Sequence, residues 1–419
     1  MQNISCFILL ILFPLCLSAQ TQSDTTQKVI LGRQNNSLQS KKPYVILISA
    51  DGFRHDYAEK YGAENLLRLS GEGVRAEALI PSYPTFTFPS HYTIVTGMHP
   101  ARHGLISNHF YDRQSEEFYS MRNPGTVKDG TWYNGIPLWV LAEQQKMLTA
   151  VYYWVGSEAD IAGIIPTYHY AYNEKIPVKR RISQVRSWLE LPEEERPHLI
   201  AFYFPEVDQI GHRFGPDAPE TRDAVLWVDS CIGLLTEEVN RTGLPVNFVF
   251  LSDHGMTRLD PEPITLPSGF DREKFIIPPG AEILHLFAKE EEDIPAAYQL
   301  LSEEARDYDV YLQKDLPEKF RPQTESVWER YGDIILISHW PRAFSLTTRP
   351  PLSGGHGFDP YEVPDMRAVF YAWGPAFKKG MKVPAFESIH VFPLITSILG
   401  LEYEHTIDGD ASLARKILE

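Results

Sequence analysis

Short apolar runs separated by amphipathic stretches set the rhythm of this chain. Tyr44–Ala50 (YVILISA) is almost wholly apolar and rich in β-branched residues, the pattern of a strand buried on both faces. Similar runs recur at Ala150–Val155, His198–Phe204, Asn247–Ser252 and Ala368–Trp373. Between them, apolar residues recur at helical spacing over Ala63–Glu72, Ile136–Gln145, Val178–Leu189 and Glu220–Asn240. Strands alternating with helices predict an α/β fold, a mostly parallel sheet with helices on both faces. The alternation breaks at about residues 278–338, which read as strand (AEILHLFA), helix (Ile294–Ala305), and two more strands (Asp309–Leu312 and Asp333–Ile337). This segment is expected to form a small α+β cap inserted between core strands. No internal repeat is present.

The N-terminus has a different pattern. Ile4–Leu17 is an uncharged apolar run broken by Pro14, followed by the small-residue site Leu17-Ser18-Ala19. Residues 1–19 therefore read as a secretory signal, too short to span a bilayer comfortably. Leu15 before Cys16 does not favour a lipoprotein, and no later segment is a transmembrane candidate. Residues 20–42 are polar and aperiodic, and read as a tether containing the sequon Asn35-Asn36-Ser37. The globular unit would then span residues 43–419. Signal removal would leave Cys231 alone of Cys6, Cys16 and Cys231, so an exported protein (periplasmic or extracellular) without an internal disulfide is expected.

Composition narrows the partners. At 419 residues, with 43% apolar and 22% charged positions, the chain is an ordinary globular protein able to bury a large core. Its formal charge of −16 argues against a duplex nucleic-acid binder. A small anionic substrate remains open, because a bound metal can reverse the local field. Nothing in the composition fixes the oligomeric state.

Ligands of open α/β sheets bind beyond the carboxyl ends of the strands. Three core runs end in residues able to hold a metal: YVILISA-Asp51-Gly52, AFYFPEV-Asp208-Gln209-Ile210-Gly211-His212, and FVFLS-Asp253-His254-Gly255-Met256. Ser353-Gly354-Gly355-His356-Gly357 adds a glycine-rich loop with one histidine. Taken singly, each has a plainer explanation as a cap, turn or satisfied core residue. Together, three aspartates and three histidines can supply two metal sites of mixed nitrogen and oxygen ligation. A nucleophile is offered by Tyr83-Pro84-Thr85-Phe86-Thr87-Phe88-Pro89-Ser90-His91-Tyr92, where Pro89 marks the first turn of a helix. Thr87 then stands at or just before a helix N-terminus, whose amides favour an anion. An ordinary N-cap threonine would sit there too.

These motifs in order resemble the nucleotide pyrophosphatase/phosphodiesterases (type I phosphodiesterases) of the alkaline phosphatase superfamily. The resemblance rests on Asp51-Gly52, Tyr83-Pro84-Thr85-x-Thr87-Phe88-Pro89-x-His91-Tyr92, Val95-Thr96-Gly97, His103-Gly104 with Asn108, Asp208-x-x-Gly211-His212, Ser252-Asp253-His254-Gly255-Met256 and Gly355-His356-Gly357. It implies an alkaline phosphatase-like fold and two zinc ions. By resemblance, Asp208, His212 and His356 hold one zinc, and Asp51, Asp253, His254 and the Thr87 hydroxyl hold the other. Asn108 is implied as the partner of a phosphoryl oxygen. The chain lacks the cysteine-rich and nuclease-like domains of larger animal members, so a single-module form is expected.

The resemblance also implies a reaction. Two zincs clamp an in-line displacement in which Thr87 attacks phosphorus, and water hydrolyses the threonine-bound intermediate. Nucleoside 5′-monophosphates are released, with Asn108 and the Phe88 backbone N–H binding the charged oxygen. A sulfatase would need a modifiable Cys or Ser where Thr87 stands. A phosphomonoesterase would want a cation for its extra oxygen, and Leu148–Glu174 has no Lys or Arg. A choline or lipid phosphodiesterase would share the same centre, with Glu158 or Asp160 available to hold an ammonium. An inactive secreted binding module would normally have lost a ligand, and none is lost. For a nucleotide substrate, Phe88 and Tyr172 are expected to flank the base, with Trp154 lining the same pocket.

Overall fold

The computed structural model describes residues 24–347 and 350–419, Lys319 by its backbone only. The expected signal peptide, residues 1–19, lies outside the described residues. The chain begins with strand β1 (Gln27–Val29), β2 (Tyr44–Ala50), helix α1 (Glu64–Gly71) and β3 (Val74–Ala76). Helices α2 (Thr87–Thr96) and α3 (Leu138–Gln144) lead to β4 (Thr149–Tyr152) and β5 (Tyr168–Tyr170). Helix α4 (Val178–Leu189) precedes β6 (Leu199–Phe204), and α5 (Glu206–Phe214) and α6 (Pro219–Asn240) precede β7 (Val246–Leu251). A second sheet follows: β8 (Phe275–Ile276), β9 (Ile283–Ala288), helix α7 (Ile294–Glu303), β10 (Tyr308–Leu312) and β11 (Ile334–Ser338). The chain then returns as β12 (Phe370–Trp373), β13 (Met381–Val383) and helix α8 (Val391–Leu399).

The main sheet runs β1-β5-β4-β6-β2-β7-β12-β3-β13. Its centre, β5 through β7, is parallel throughout. Strands β1 and β12 run antiparallel to their neighbours. In β2, Val45 and Leu47 join one apolar cluster, and Ile46, Ile48 and Ala50 join the other. That alternation explains the unbroken apolar run: both faces are covered, so neither register position faces water. Helices α2, α3 and α8 pack on the first face, and α1, α4 and α6 on the second. The insertion forms an all-antiparallel sheet, β8-β9-β11-β10, over its own cluster of Phe270, Leu284, Leu286, Leu301, Leu336 and Phe344.

One expectation is corrected. The segment expected to be a polar tether, residues 20–42, contributes β1, which pairs with β5 at the sheet edge. Asn35 of the sequon is buried at 7% exposure. Its side chain donates to the carbonyls of Glu193 and Arg196 and accepts from Leu148 N–H, so it is structural. Three-residue edge strands held by backbone bonds leave no hydrophobic period to read, which is why the pattern showed none.

Arg330, just ahead of β11, ties the insertion to the core. It donates to Asp112 Oδ2 at 3.0 Å, Gly104 O at 2.7 Å and Trp132 O at 3.0 Å. The guanidinium is flanked by the Phe110 and Trp132 rings. These partners bracket the loop that carries Asn108. Arg330→Ala should cost about 3–5 kcal/mol of stability in a denaturant titration, the cost of stranding a buried charge partner. Arg330→Lys should rescue little, because one ammonium cannot reproduce the planar fork; a full rescue by Lys would contradict this.

Candidate metal centre

The six ligand candidates meet at the carboxyl edge of β2, β6 and β7. Asp51 directly follows β2. Gly52 behind it adopts φ 67°, and a Cβ there would stand 2.9 Å from Asp208 Cα, so glycine lets the two strand ends meet. Asp208 lies in the first turn of α5, with His212 one turn later on the same face, 3.4 Å from Asp208 Oδ1. Asp253 and His254 follow β7. His356 follows a two-residue strand, Gly354–Gly355, that pairs with Thr257–Arg258.

Each histidine is aimed by its far nitrogen. Nδ1 lies 2.9 Å from Gly354 O in His212, 2.9 Å from Gly255 O in His254, and 2.8 Å from Thr85 O in His356. A carbonyl oxygen only accepts, so each Nδ1 carries the proton and each Nε2 is turned into the site. The Nε2 atoms of His212 and His356 are 3.1 Å apart. His254 Nε2 is 2.9 Å from Asp253 Oδ2 and 3.4 Å from Asp51 Oδ1. Asp208 Oδ1 is 3.5 Å from His356 Nε2.

The electrostatics call for positive charge. Burial, then the Asp253 and Asp208 carboxylates, push the Asp51 carboxyl well above its usual range. Burial alone would hold His254 neutral, but Asp253 beside it outweighs burial and raises its proton affinity. Buried Asp51 Oδ1, Asp208 Oδ1 and Asp253 Oδ2 receive no hydrogen bond. Among the described residues, two groups have donor atoms all within 4.8 Å, Asp208/His254/His356 and Asp51/Asp253/His254; His212, expected with Asp208 and His356, falls in neither, although its Nε2 is 3.1 Å from His356 Nε2. His254 belongs to both, and its ring stacks on His356 with centroids 3.6 Å apart. Mixed imidazole and carboxylate donors fit a borderline divalent cation such as zinc.

Thr87 is the first residue of α2, with Phe86 as its extended N-cap. Its hydroxyl is 3.4 Å from Nε2 of His254, the histidine common to both groups, and stands at a helix N-terminus. Asn108 stands beside it: Asn108 Oδ1 accepts the Phe88 N–H at 2.9 Å. That bond differs from the expectation that both groups bind one phosphoryl oxygen. The Phe88 N–H is engaged with Asn108, and the Asn108 amide NH2 is the donor left over.

The aromatic expectations divide. Tyr172 is exposed at 47%, its ring 6.3 Å from Tyr203, whose hydroxyl donates to Asp51 Oδ2. Phe88 is half-buried, 6.2 Å from Tyr119. Trp154 lies beneath the site instead of beside a ligand: it is 3% exposed, and its indole N–H donates to His91 O. Two supporting residues, His91 and Tyr203, carried no role in the sequence reading. His91, one turn after Thr87, bonds Thr87 O through Nδ1 and Ser49 Oγ through Nε2, with Nδ1 3.2 Å from Asp253 Oδ2. Tyr203 holds Asp51. Their only sequence signal was His91's place inside the threonine motif.

The sheet order and the ligand cluster at its carboxyl edge define an α/β protein of alkaline phosphatase-like fold. A family description, type I phosphodiesterase / nucleotide pyrophosphatase, matches residues 45–359. An uncharacterized pyrophosphatase/phosphodiesterase of Schizosaccharomyces pombe is 34% identical over 89% of this chain and 80% of its own length. Ectonucleotide pyrophosphatase/phosphodiesterase family member 1 of Mus musculus is 32% identical over 86% of this chain. The chain spans 41% of that relative's length, and 43% of a venom phosphodiesterase of Macrovipera lebetinus. The structure of murine ectonucleotide pyrophosphatase/phosphodiesterase 5 superposes with a TM-score of 0.84 at 26% identity, covering 90% of this chain and 100% of that one. An inactive Thr-to-Ala form of that protein, in complex with AMP, matches equally well. The chain belongs to the type I phosphodiesterase/nucleotide pyrophosphatase family, a family of metal-dependent enzymes.

Binding of a divalent cation to this cluster is linked to folding. Purified protein stripped of divalent ions should melt at a lower temperature and recover when they return. At a hundredfold excess over Kd the gain is about 2.7 kcal/mol. A melting temperature indifferent to chelator would rule out a metal centre here.

Proposed function

We propose that this protein is a two-zinc hydrolase that cleaves nucleotide phosphodiester and pyrophosphate bonds through a covalent threonine intermediate, releasing nucleoside 5′-monophosphates. The observation that carries this reading is the Thr87 hydroxyl, at a helix N-terminus and against a cluster of three carboxylates with His254 and His356, His212 standing beside His356. Asp208, His212 and His356 would hold one zinc, and Asp51, Asp253, His254 and Thr87 Oγ the other. When bound, the ions acidify the Thr87 hydroxyl and offset charge on the phosphoryl oxygens.

The chain's own residues then carry the reaction. Thr87 Oγ forms a bond to phosphorus as the bond from phosphorus to the leaving oxygen breaks, and the hydroxyl proton ends on the leaving group through solvent. Asn108, its carboxamide oriented by the Phe88 N–H, donates to the non-bridging oxygen. Water next attacks phosphorus, the Oγ–P bond breaks, and a proton returns to Thr87. Tyr172 and Phe88 offer aromatic faces to a base. The inactive Thr-to-Ala relative bound to AMP agrees with both the nucleophile and the product class.

The choline-ester alternative loses support on the side where the sequence placed its carboxylates. Glu158 already accepts the Tyr172 N–H at 2.9 Å and pairs with Lys128 at 3.7 Å. Export agrees with relatives named as ectoenzymes and venom enzymes. No helix among the described residues is long and apolar enough to cross a membrane.

Thr87→Ala should abolish turnover of a chromogenic thymidine-monophosphate ester while the folded protein still holds two zinc ions by elemental analysis. Thr87→Ser should keep measurable activity. Near-wild-type rates in Thr87→Ala would overturn the covalent route.

Tyr172→Ala should raise KM for the nucleotide ester by about tenfold, the loss of one stacking face. Hydrolysis of a diester lacking a base should barely change. The opposite pattern, with phosphocholine ester cleavage damaged and nucleotide cleavage spared, would reject the nucleotide assignment.

A further inference from the structure

Asn108 is held at two levels. Its side chain meets helix α2, where Asn108 Oδ1 accepts the Phe88 N–H at 2.9 Å. Phe88 is the second residue of that helix, so its N–H has no partner within the helix, and Asn108 caps it from outside. One hydrogen bond leaves the carboxamide free to swing about it. The direction of the remaining NH2 therefore depends on where the backbone sits, and that backbone is a short arch, residues 104–112, leading into the hairpin His109–Asp112/Glu117–Ser120.

The insertion splints that arch. Arg330 spans it: Nη1 donates to Gly104 O at the start, at 2.7 Å, and Nε to Asp112 Oδ2 at the end, at 3.0 Å. Arg330 and Asp112 are both buried, so water does not loosen the bridge. The seam continues on either side. Gln323 N–H donates to Ala101 O at 2.9 Å, and Glu329 O accepts the Arg113 N–H at 3.0 Å. Leu105 and Ile106 also root the arch in the core, but apolar contact is non-directional. A planar fork on two fixed acceptors sets direction as well as distance. Gly104 is fitted to that fork, for a Cβ there would stand 2.5 Å from Arg330 Nη1.

We infer that Arg330 is a positioning residue for the reaction, and that through it the insertion sets where Asn108 meets the non-bridging phosphoryl oxygen. Among the described residues, Arg330 bonds to none of the six metal-ligand candidates, so its influence passes through the arch. The inference rests on the phosphodiesterase reading above, in which Asn108 donates to charge that grows in the transition state. A misplaced Asn108 then costs kcat and leaves ground-state binding alone.

The test is a double-mutant cycle on p-nitrophenyl thymidine 5′-monophosphate with wild type, Arg330→Lys, Asn108→Ala and the double variant, each zinc-loaded and assayed below its melting temperature. Arg330→Lys should lower kcat about tenfold and keep KM within about twofold. In the Asn108→Ala background the same substitution should change kcat by less than about twofold, because the group it positions is gone. Hydrogen exchange gives a readout free of chemistry. The Phe88 N–H should exchange about tenfold faster in Arg330→Lys relative to the buried Val45 N–H, which is bonded to His198 O and reports global opening. Should Arg330→Lys fail to fold, Asp112→Asn loosens the same bridge at unchanged size and carries the same expectations. Equal losses of kcat in both backgrounds, a loss confined to KM, or Phe88 and Val45 amides accelerated alike would leave Arg330 a structural role only and overturn the inference, with the phosphodiesterase reading intact. A wild-type enzyme that does not cleave the ester overturns that reading, and the inference with it.

Discussion

Mutual repulsion among Asp51, Asp208 and Asp253 is the constraint on which the site depends. Three carboxyl groups share one buried cluster, and the imidazoles around them have spent their Nδ1 protons on backbone carbonyls. No arrangement of protons among these groups satisfies every inward-facing lone pair. A divalent cation does, and the same backbone carbonyls that orient the rings keep the donor set preorganised for it. A cation bound here would therefore be linked to the folding of the strand-end loops.

That cluster is affordable only because the scaffold around it is rigid. Strands β2, β6 and β7 are buried on both faces and hydrogen-bonded side by side, so their carboxyl ends hold a fixed spacing. His91 links the helix of Thr87 to this frame through Thr87 O and Ser49, next to Asp253. Tyr203 does the same for Asp51 from the neighbouring strand. The threonine hydroxyl thus inherits its position from the sheet, not from its own flexible rotamer.

The inserted sheet completes the site from the other side. Arg330 clamps it to the segment bearing Asn108, and Glu282 and Phe344 bring its edge to the metal ligands. The candidate metal centre belongs to the core, whereas the cleft bordering His212 and His356 is shared with the insertion.

Much of this was legible in the linear sequence, for a physical reason. Strands buried on both faces write continuous apolar runs, and the Asp and His residues that end them stand out because charge after such a run is rare and costly unless it is used. Asp51, Asp253, His254 and Thr87 were singled out that way, next to their own strands or helix, and the fold brings them together. Tertiary structure alone decided the rest. The edge strand β1 has no periodicity, so its pairing with β5 depends on backbone bonds that no residue type announces. Trp154 and Tyr172 look alike as pocket aromatics, yet one is buried under His91 and the other is open to solvent. Asn108 and the Phe88 N–H are twenty positions apart and satisfy each other only once the chain has folded. Glu282 has no motif at all. It borders the metal centre only because the insertion brings it into a cleft formed by distant segments, and burial in three dimensions is the property a linear pattern cannot encode.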